Sequence, residues 1–226
     1  TTSLWKSNGK SGGTVKITDL GGTAYGLTSV GNLLYFVADQ PHFGFELWKS
    51  DGTTAGTLRV KDIYTGSAGS MPGGLTNVNG TLYFVATDAT RGSELWKSNG
   101  TDAGTVLVKD IIVGTTGSNP QNLTDINGTL YFVANDGTNG YELWKSNGTA
   151  TGTVLVKDIN SGQASSSPQS LTNVNGVLYF IADNGINGVE LWKSDGTASG
   201  TVMVKDIWPG SFNSTPHFLT NVNGTL

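Results

Sequence analysis

The stretch TLYFVAN, from Thr129 to Asn135, is apolar on both faces that a strand would present. Leu130, Phe132 and Ala134 point one way, and Tyr131 and Val133 the other. A sheet with one wet face alternates apolar with polar, so two dry faces predict a strand covered from both sides. The neighbouring runs are equally short. PQNLTDIN ends at Asn127-Gly128, a pair suited to a tight hairpin turn because both of its residues need positive φ. The polar loop DGTNG leads into YELWKS, the loop NGTATGT leads into VLVKDI, and a Gly/Ser-rich connector, NSGQASSSP, follows. Short strands, separated by turn chemistry and with no helical spacing, predict an antiparallel all-β unit of four strands.

The unit recurs. Trp5, Trp48, Trp96, Trp144 and Trp192 stand 43, 48, 48 and 48 residues apart, and residues 94–141 and 142–189 agree at 31 of 48 positions without a gap. A period of this length predicts a propeller or a solenoid, and four antiparallel strands per period make a propeller blade. A tryptophan suits the wedge between blades. Burying it removes roughly 150–250 Å² from water, worth at most about 4–6 kcal/mol per copy. One blade cannot bury that surface alone, so copies must stack, and all five tryptophans are expected at inter-blade seams. Copies this alike also invite pairing with the wrong neighbour, so self-association through strand exchange is expected.

Residues 1–226 are accordingly expected to form a single repeat domain of about 48 residues per blade, or a fragment of a longer repeat protein. Leu226 aligns with Leu130 and Thr1 with Gly140. The expectation is a β-propeller of five blades, the last shared between the two ends of the chain. The start, Thr1-Thr2-Ser3, is read as that of a processed product or of a piece.

Composition narrows the chemistry. With 13 Lys and Arg against 17 Asp and Glu, the charge balance offers no surface for nucleic acid. No apolar run reaches the length of a membrane span, so insertion is not expected. There is no cysteine, and the two histidines are His42 and His217. Neither a nucleophile elbow nor a phosphate loop is present, and a histidine metal site lacks ligands, so no catalytic residue, metal or cofactor is expected. Asp136-Gly137 and Asp183-Asn184 offer oxygens, but their spacing is not that of a calcium loop. Glu46, Glu94, Glu142 and Glu190 stand in equivalent places, which points to structure, with a Lys or Thr partner expected. Lys61-Asp62, Lys109-Asp110, Lys157-Asp158 and Lys205-Asp206 are read as charges that blunt an exposed sheet edge.

The octets ELWKSDGT at Glu46–Thr53 and Glu190–Thr197 resemble the ELWxxDGT repeat of bacterial proteins. Asn replaces the Asp at Asn8, Asn99 and Asn147, and the first copy has Ser3 and Lys10 in place of the Glu and Thr. The resemblance covers essentially the whole chain. It implies a propeller and an extracellular or bacterial cell-surface location. It transfers no activity.

Variation among the internal copies locates candidate chemistry. The turns joining strands one to two and three to four are nearly constant, whereas the opposite end varies. His42, Phe43, Tyr64, Arg91 and Trp208 are therefore expected on one ligand-binding face. The leading expectation is a non-enzymatic, lectin-like binding module with a glycan or a surface protein as partner. A scaffold or protein-docking propeller is the first alternative, and a cryptic hydrolase the second.

Overall fold

The computed structural model describes Thr2–Leu226, and the chain falls into two compact units. The first, residues 1–107 and 113–117, begins with a two-stranded pair, β1 (Ser3–Lys6) and β2 (Val15–Asp19), joined through a short 3-10 turn at Ser11–Gly13. A sheet of β3 (Ala24–Val30), β4 (Leu33–Gln40), β5 (Gly44–Ser50) and β6 (Leu58–Arg59) follows. Next come β7 (Gly73–Val78), β8 (Thr81–Asp88), β9 (Gly92–Ser98) and the start of β10 (Val106–Lys109). The second unit, residues 108–112 and 118–226, holds two four-stranded sheets. One is β11 (Gln121–Ile126), β12 (Thr129–Asn135), β13 (Tyr141–Ser146) and β14 (Val154–Lys157). The other is β15 (Gln169–Val174), β16 (Val177–Asp183), β17 (Val189–Ser194) and β18 (Val202–Lys205). Every sheet is an antiparallel meander in chain order, so the protein is all-β and propeller-like in its sheets.

Local chemistry explains the meander. Asn127 and Gly128 take φ of 51° and 83°, as the hairpin turn requires, and Asp125 Oδ1 accepts the Gly128 amide at 2.8 Å. The strand three-to-four loop is a knot of side-chain bonds. Asn147 Oδ1 accepts the Thr149 amide at 3.0 Å and its hydroxyl at 2.7 Å, while Ser146 and Thr153 hydroxyls meet at 2.7 Å. A Cβ at Gly152 would run into the Asn147 side chain, so that position must be glycine.

Both faces of β12 are dry: Leu130, Phe132 and Ala134 on one side and Tyr131 and Val133 on the other are buried. Within each unit a buried tryptophan packs on the preceding sheet. Trp192 joins Leu143, Val156 and Ile159, and Trp96 joins Leu47, Val60 and Ile63. Trp48, Trp96, Trp144 and Trp192 are 5–8% exposed. Trp5 is corrected: it is 57% exposed, because no sheet of its unit precedes β1 to cover the indole.

Lysines tie the seams. Lys145 Nζ donates to the Gly196 carbonyl at 2.8 Å, and Lys157 Nζ donates to the Thr201 carbonyl at 2.8 Å while passing 5.9 Å from the Trp192 ring. In the first unit Lys49 reaches the Gly100 carbonyl at 2.7 Å, and Lys61 pairs with Asp102 at 2.9 Å. Lys61 and Lys157 therefore strap one sheet to the next, which corrects their reading as edge-blunting charges.

The repeated glutamates are fully buried acceptors. Glu142 takes the amides of Ile159 (3.0 Å), Asn160 (3.3 Å) and Ser166 (2.8 Å) and the Ser166 hydroxyl (2.5 Å). Glu46 does the same with Ile63, Tyr64 and Ser70, and Glu190 with Ile207 and Ser214. The partner is thus a serine and backbone amides, where a Lys or Thr was expected. Glu142→Ala is expected to cost about 2–4 kcal/mol in urea denaturation, since buried amides lose their acceptor.

Burial pushes the Glu46 and Glu142 carboxyls above their ordinary value, against the pull of their hydrogen bonds. The folded protein then holds the proton more tightly than the unfolded chain. This contribution to stability is complete below the unfolded value of 4.5 and is lost as pH rises through the folded one. Melting temperatures across that window are expected to fall less steeply in Glu142→Gln than in the parent protein.

Candidate functional site

A cleft lies in the second unit, at the strand two-to-three end of β15–β18. It encloses about 490 Å³ and is lined by Ser165, Ser166, Ser167, Gln169, Ile181, Asp183, Val189, Thr215, Pro216 and His217. Each wall has a local cause. Gln169 opens β15, Ile181 and Asp183 end β16, and Val189 starts β17. The connector wall, residues 165–167, is held by Glu142 through Ser166, by Ser167 N donating to the Tyr141 carbonyl at 3.1 Å, and by Asp183 N donating to the Ser166 carbonyl at 3.0 Å. The opposite wall is anchored by Glu190 through Ser214, and by Thr215 N donating to the Val189 carbonyl at 3.2 Å.

The polar groups on these walls are unequally committed. The Ser166 hydroxyl is spent on Glu142, and Ser165 Oγ accepts the Tyr141 amide at 2.9 Å. Asp183 Oδ1 accepts the Gly185 amide at 2.7 Å, which leaves Oδ2 for a ligand. His217 Nδ1 lies 3.1 Å from the Thr215 carbonyl. A carbonyl only accepts, so in the neutral ring Nδ1 carries the proton and Nε2 keeps its lone pair. The cleft therefore offers a proton acceptor, a carboxylate oxygen, an amide and serine hydroxyls against an apolar floor of Ile181, Val189 and Pro216.

One copy earlier, the equivalent cleft encloses about 140 Å³ and is lined in part by Tyr141, Gln169 and Pro168. Val189 stands where that copy has Tyr141, and His217 where it has Gln169, each 48 residues on. The smaller valine leaves room that the tyrosine fills.

The residues expected on one face are distributed otherwise. His42 is exposed with φ of 75°, and the Arg59 guanidinium covers the Phe43 ring at 3.6 Å from its centroid. The Tyr64 amide donates to Glu46 at 3.2 Å. Arg91 is drawn into its own loop by Asp88, 2.8 Å away. Burial raises the Asp88 carboxyl pKa, but the hydrogen bonds from Thr90 and Arg91 outweigh it and hold the group below its usual value. No ring contact or hydrogen bond joins His42, Tyr64 and Arg91 to one another among the described residues. Trp208 belongs to the second unit, where it is 57% exposed and stacks on Phe212 at 5.3 Å. Asp136 takes amides of Thr138 and Asn139 at 2.8 and 2.7 Å, so its carboxylate closes its own turn. Reading the copies for variability pointed to the strand two-to-three end of the sheets, where this cleft also lies, but passed over Val189 and His217, which line it.

No family model matches the chain, and no curated protein matches it. Among solved structures, puromycin hydrolase, as a mutant complexed with PGG, is similar with a TM-score of 0.54 at 15% identity, over 88% of this chain and 32% of that one. Bacteroides ovatus xyloglucan PUL GH43B gives a TM-score of 0.38 at 16% identity, over 75% of this chain and 38% of that one. An exo-beta-1,3-galactanase from Bifidobacterium bifidum s17 gives 0.37 at 12% identity, over 75% and 66% respectively. The chain thus spans about a third of the length of the puromycin hydrolase it resembles. The first of these likenesses is one of fold. That comparison overturns the leading functional expectation: the structure of matching fold carries the name of a hydrolase, so the reading as a non-enzymatic, lectin-like or scaffold module is withdrawn.

Val189→Tyr is expected to shrink the cleft from about 490 Å³ toward the 140 Å³ of its neighbour without changing the circular dichroism spectrum. A crystal structure of the variant measures the volume directly.

Proposed function

We propose that this chain is the propeller portion of a hydrolase and that it handles substrate in the cleft at His217. The observation that carries the reading is the state of His217. Its Nδ1–H is directed at the Thr215 carbonyl, which turns Nε2 over to other partners, and His217 lines the same cleft as Asp183 and Ser167. Such a group takes a proton from water as the water oxygen adds to the scissile carbon, then returns it to the leaving group. Asp183, with one oxygen uncommitted, orients the water or a substrate hydroxyl. The fold likeness to puromycin hydrolase supports the class of reaction. The buried glutamates are no part of it, because their oxygens are already filled by amides and a serine hydroxyl.

Within the same proposal the sheets are blades of a five-bladed ring whose last blade is shared by the two ends of the chain. Residues 217–226 support this. Asn221 Nδ2 donates to the Asn173 carbonyl at 3.1 Å, as Asn77 Nδ2 in the first unit donates to the Ser29 carbonyl at 3.3 Å, each across 48 residues. Thr172 of β15 and Asn175 after it also donate to the Leu219 and Gly224 carbonyls, at 3.5 and 3.4 Å. Membership of the ELWxxDGT-repeat proteins and an extracellular or surface location are proposed on the octets themselves. Among the described residues no helix is long and apolar enough to cross a membrane.

The test is a panel of chromogenic aryl amides, aryl esters and aryl glycosides. At least one class is expected to be hydrolysed, and His217→Ala to reduce kcat by about a hundredfold or more. No turnover on any class, or turnover indifferent to His217→Ala, overturns the reading.

A further inference from the structure

Five positions, each opening a copy of the first strand, stand at 48-residue intervals in the left-handed region: Gly26 (φ 67°), Gly74 (61°), Asn122 (55°), Ser170 (56°) and Phe218 (57°). The repeat imposes this conformation. A bulge interrupts the pairing here in each complete sheet, and the threonine two residues on donates its hydroxyl to the left-handed residue's carbonyl, at 2.9 Å in Gly74 and 3.0 Å in Phe218. Glycine and asparagine accept it with little strain, but a bulky aromatic side chain does not.

Packing does not explain the phenylalanine. Phe218 is 88% exposed, and the position is exposed in every copy. Its one aromatic contact is with the edge of His217, 4.8 Å between centroids at 72°. A strained and exposed aromatic beside a cleft has the character of a functional residue, because nothing else repays its conformation.

We infer that Phe218 is a stacking platform for a neutral sugar ring whose hydroxyls enter the cleft beneath His217. The inference rests on the hydrolytic reading of that cleft. The chemistry selects the ligand class. An exposed ring face takes the C–H face of a pyranose. Asp183 Oδ2, the Gln169 amide and the Ser167 hydroxyl can accept from and donate to its hydroxyls. Neither a lysine nor an arginine lines the cleft to hold an anion, and its one carboxylate disfavours it.

Calorimetry with neutral cello-, xylo- and manno-oligosaccharides tests the platform separately from catalysis. At least one probe is expected to bind. Phe218→Gly and Phe218→Asn are each expected to weaken it about tenfold or more, and Phe218→Trp to retain it. Melting of Phe218→Gly should rise by roughly 2–4 °C as the strain is released. A gain in stability together with a loss of binding is a pattern that a structural role for the ring would not give. Binding by the parent protein that is unchanged in Phe218→Gly overturns the inference and leaves the hydrolytic reading standing. So does an absence of binding by every oligosaccharide when aryl amides are turned over in a His217-dependent way.

Discussion

The buried carboxylate of the ELW segment holds the geometry together. Glu142 lies in the dry interior of its sheet and fills its oxygens with the amides of Ile159, Asn160 and Ser166 and the Ser166 hydroxyl. These donors come from both ends of the connector to the next sheet. A flexible Gly/Ser-rich segment is thereby folded back into one conformation. A buried charge that met fewer donors would be costly, and buried amides without an acceptor equally so, which makes the arrangement all-or-none. The connector in turn presents Ser165, Ser166 and Ser167 as one wall of the cleft. Glu190 fixes the opposite wall through Ile207 and Ser214, next to Thr215 and His217. A buried structural glutamate thus shapes the walls of the cleft without lining it.

The parts of this fold that were legible in the sequence are those whose causes are local. Asn127-Gly128 announces a hairpin because its two residues alone accept the φ that the turn requires. The apolar double face of β12 announces burial on both sides. Causes that cross between sheets were harder to read. A Lys157 side chain that ends on the Thr201 carbonyl has no complementary residue type to reveal it, since every residue has a carbonyl. The partner of Glu142, Ser166, sits 24 residues away among other serines and glycines, with nothing in its neighbourhood to single it out. Trp5 carries the same motif as Trp48, and only the absence of a preceding sheet in its unit separates a wet indole from a dry one.

The candidate site was partly legible, and in an unexpected way. Aromatic and charged residues at the variable end drew attention, yet Arg91 is consumed by Asp88 and Phe43 by Arg59. The informative differences were reductions and substitutions in register: Val189 in place of Tyr141, and His217 in place of Gln169. Removing bulk opens space, and space rather than an added aromatic residue makes a cleft. The left-handed conformation of Phe218 was beyond sequence reading, because its strain is visible only once φ is known.

Near-identity of the copies sharpens this reasoning. In the last full sheet the structural set stays as its predecessor has it: Trp192 is buried, the Ser194 and Thr201 hydroxyls meet at 2.7 Å, and Glu190 binds its serine at 2.6 Å. Departures that weaken packing or strain the backbone would ordinarily be scattered over positions free to vary. Here Val189 and His217 line one cleft, and Phe218 touches His217 at its rim. One of the three puts a valine where the preceding copy has a half-buried tyrosine, one places an imidazole on an exposed wall, and one occupies a conformation its side chain resists. Val189 comes from the last full sheet and His217 and Phe218 from the segment that follows it, and the three departures meet at one cleft where unconstrained drift would scatter them.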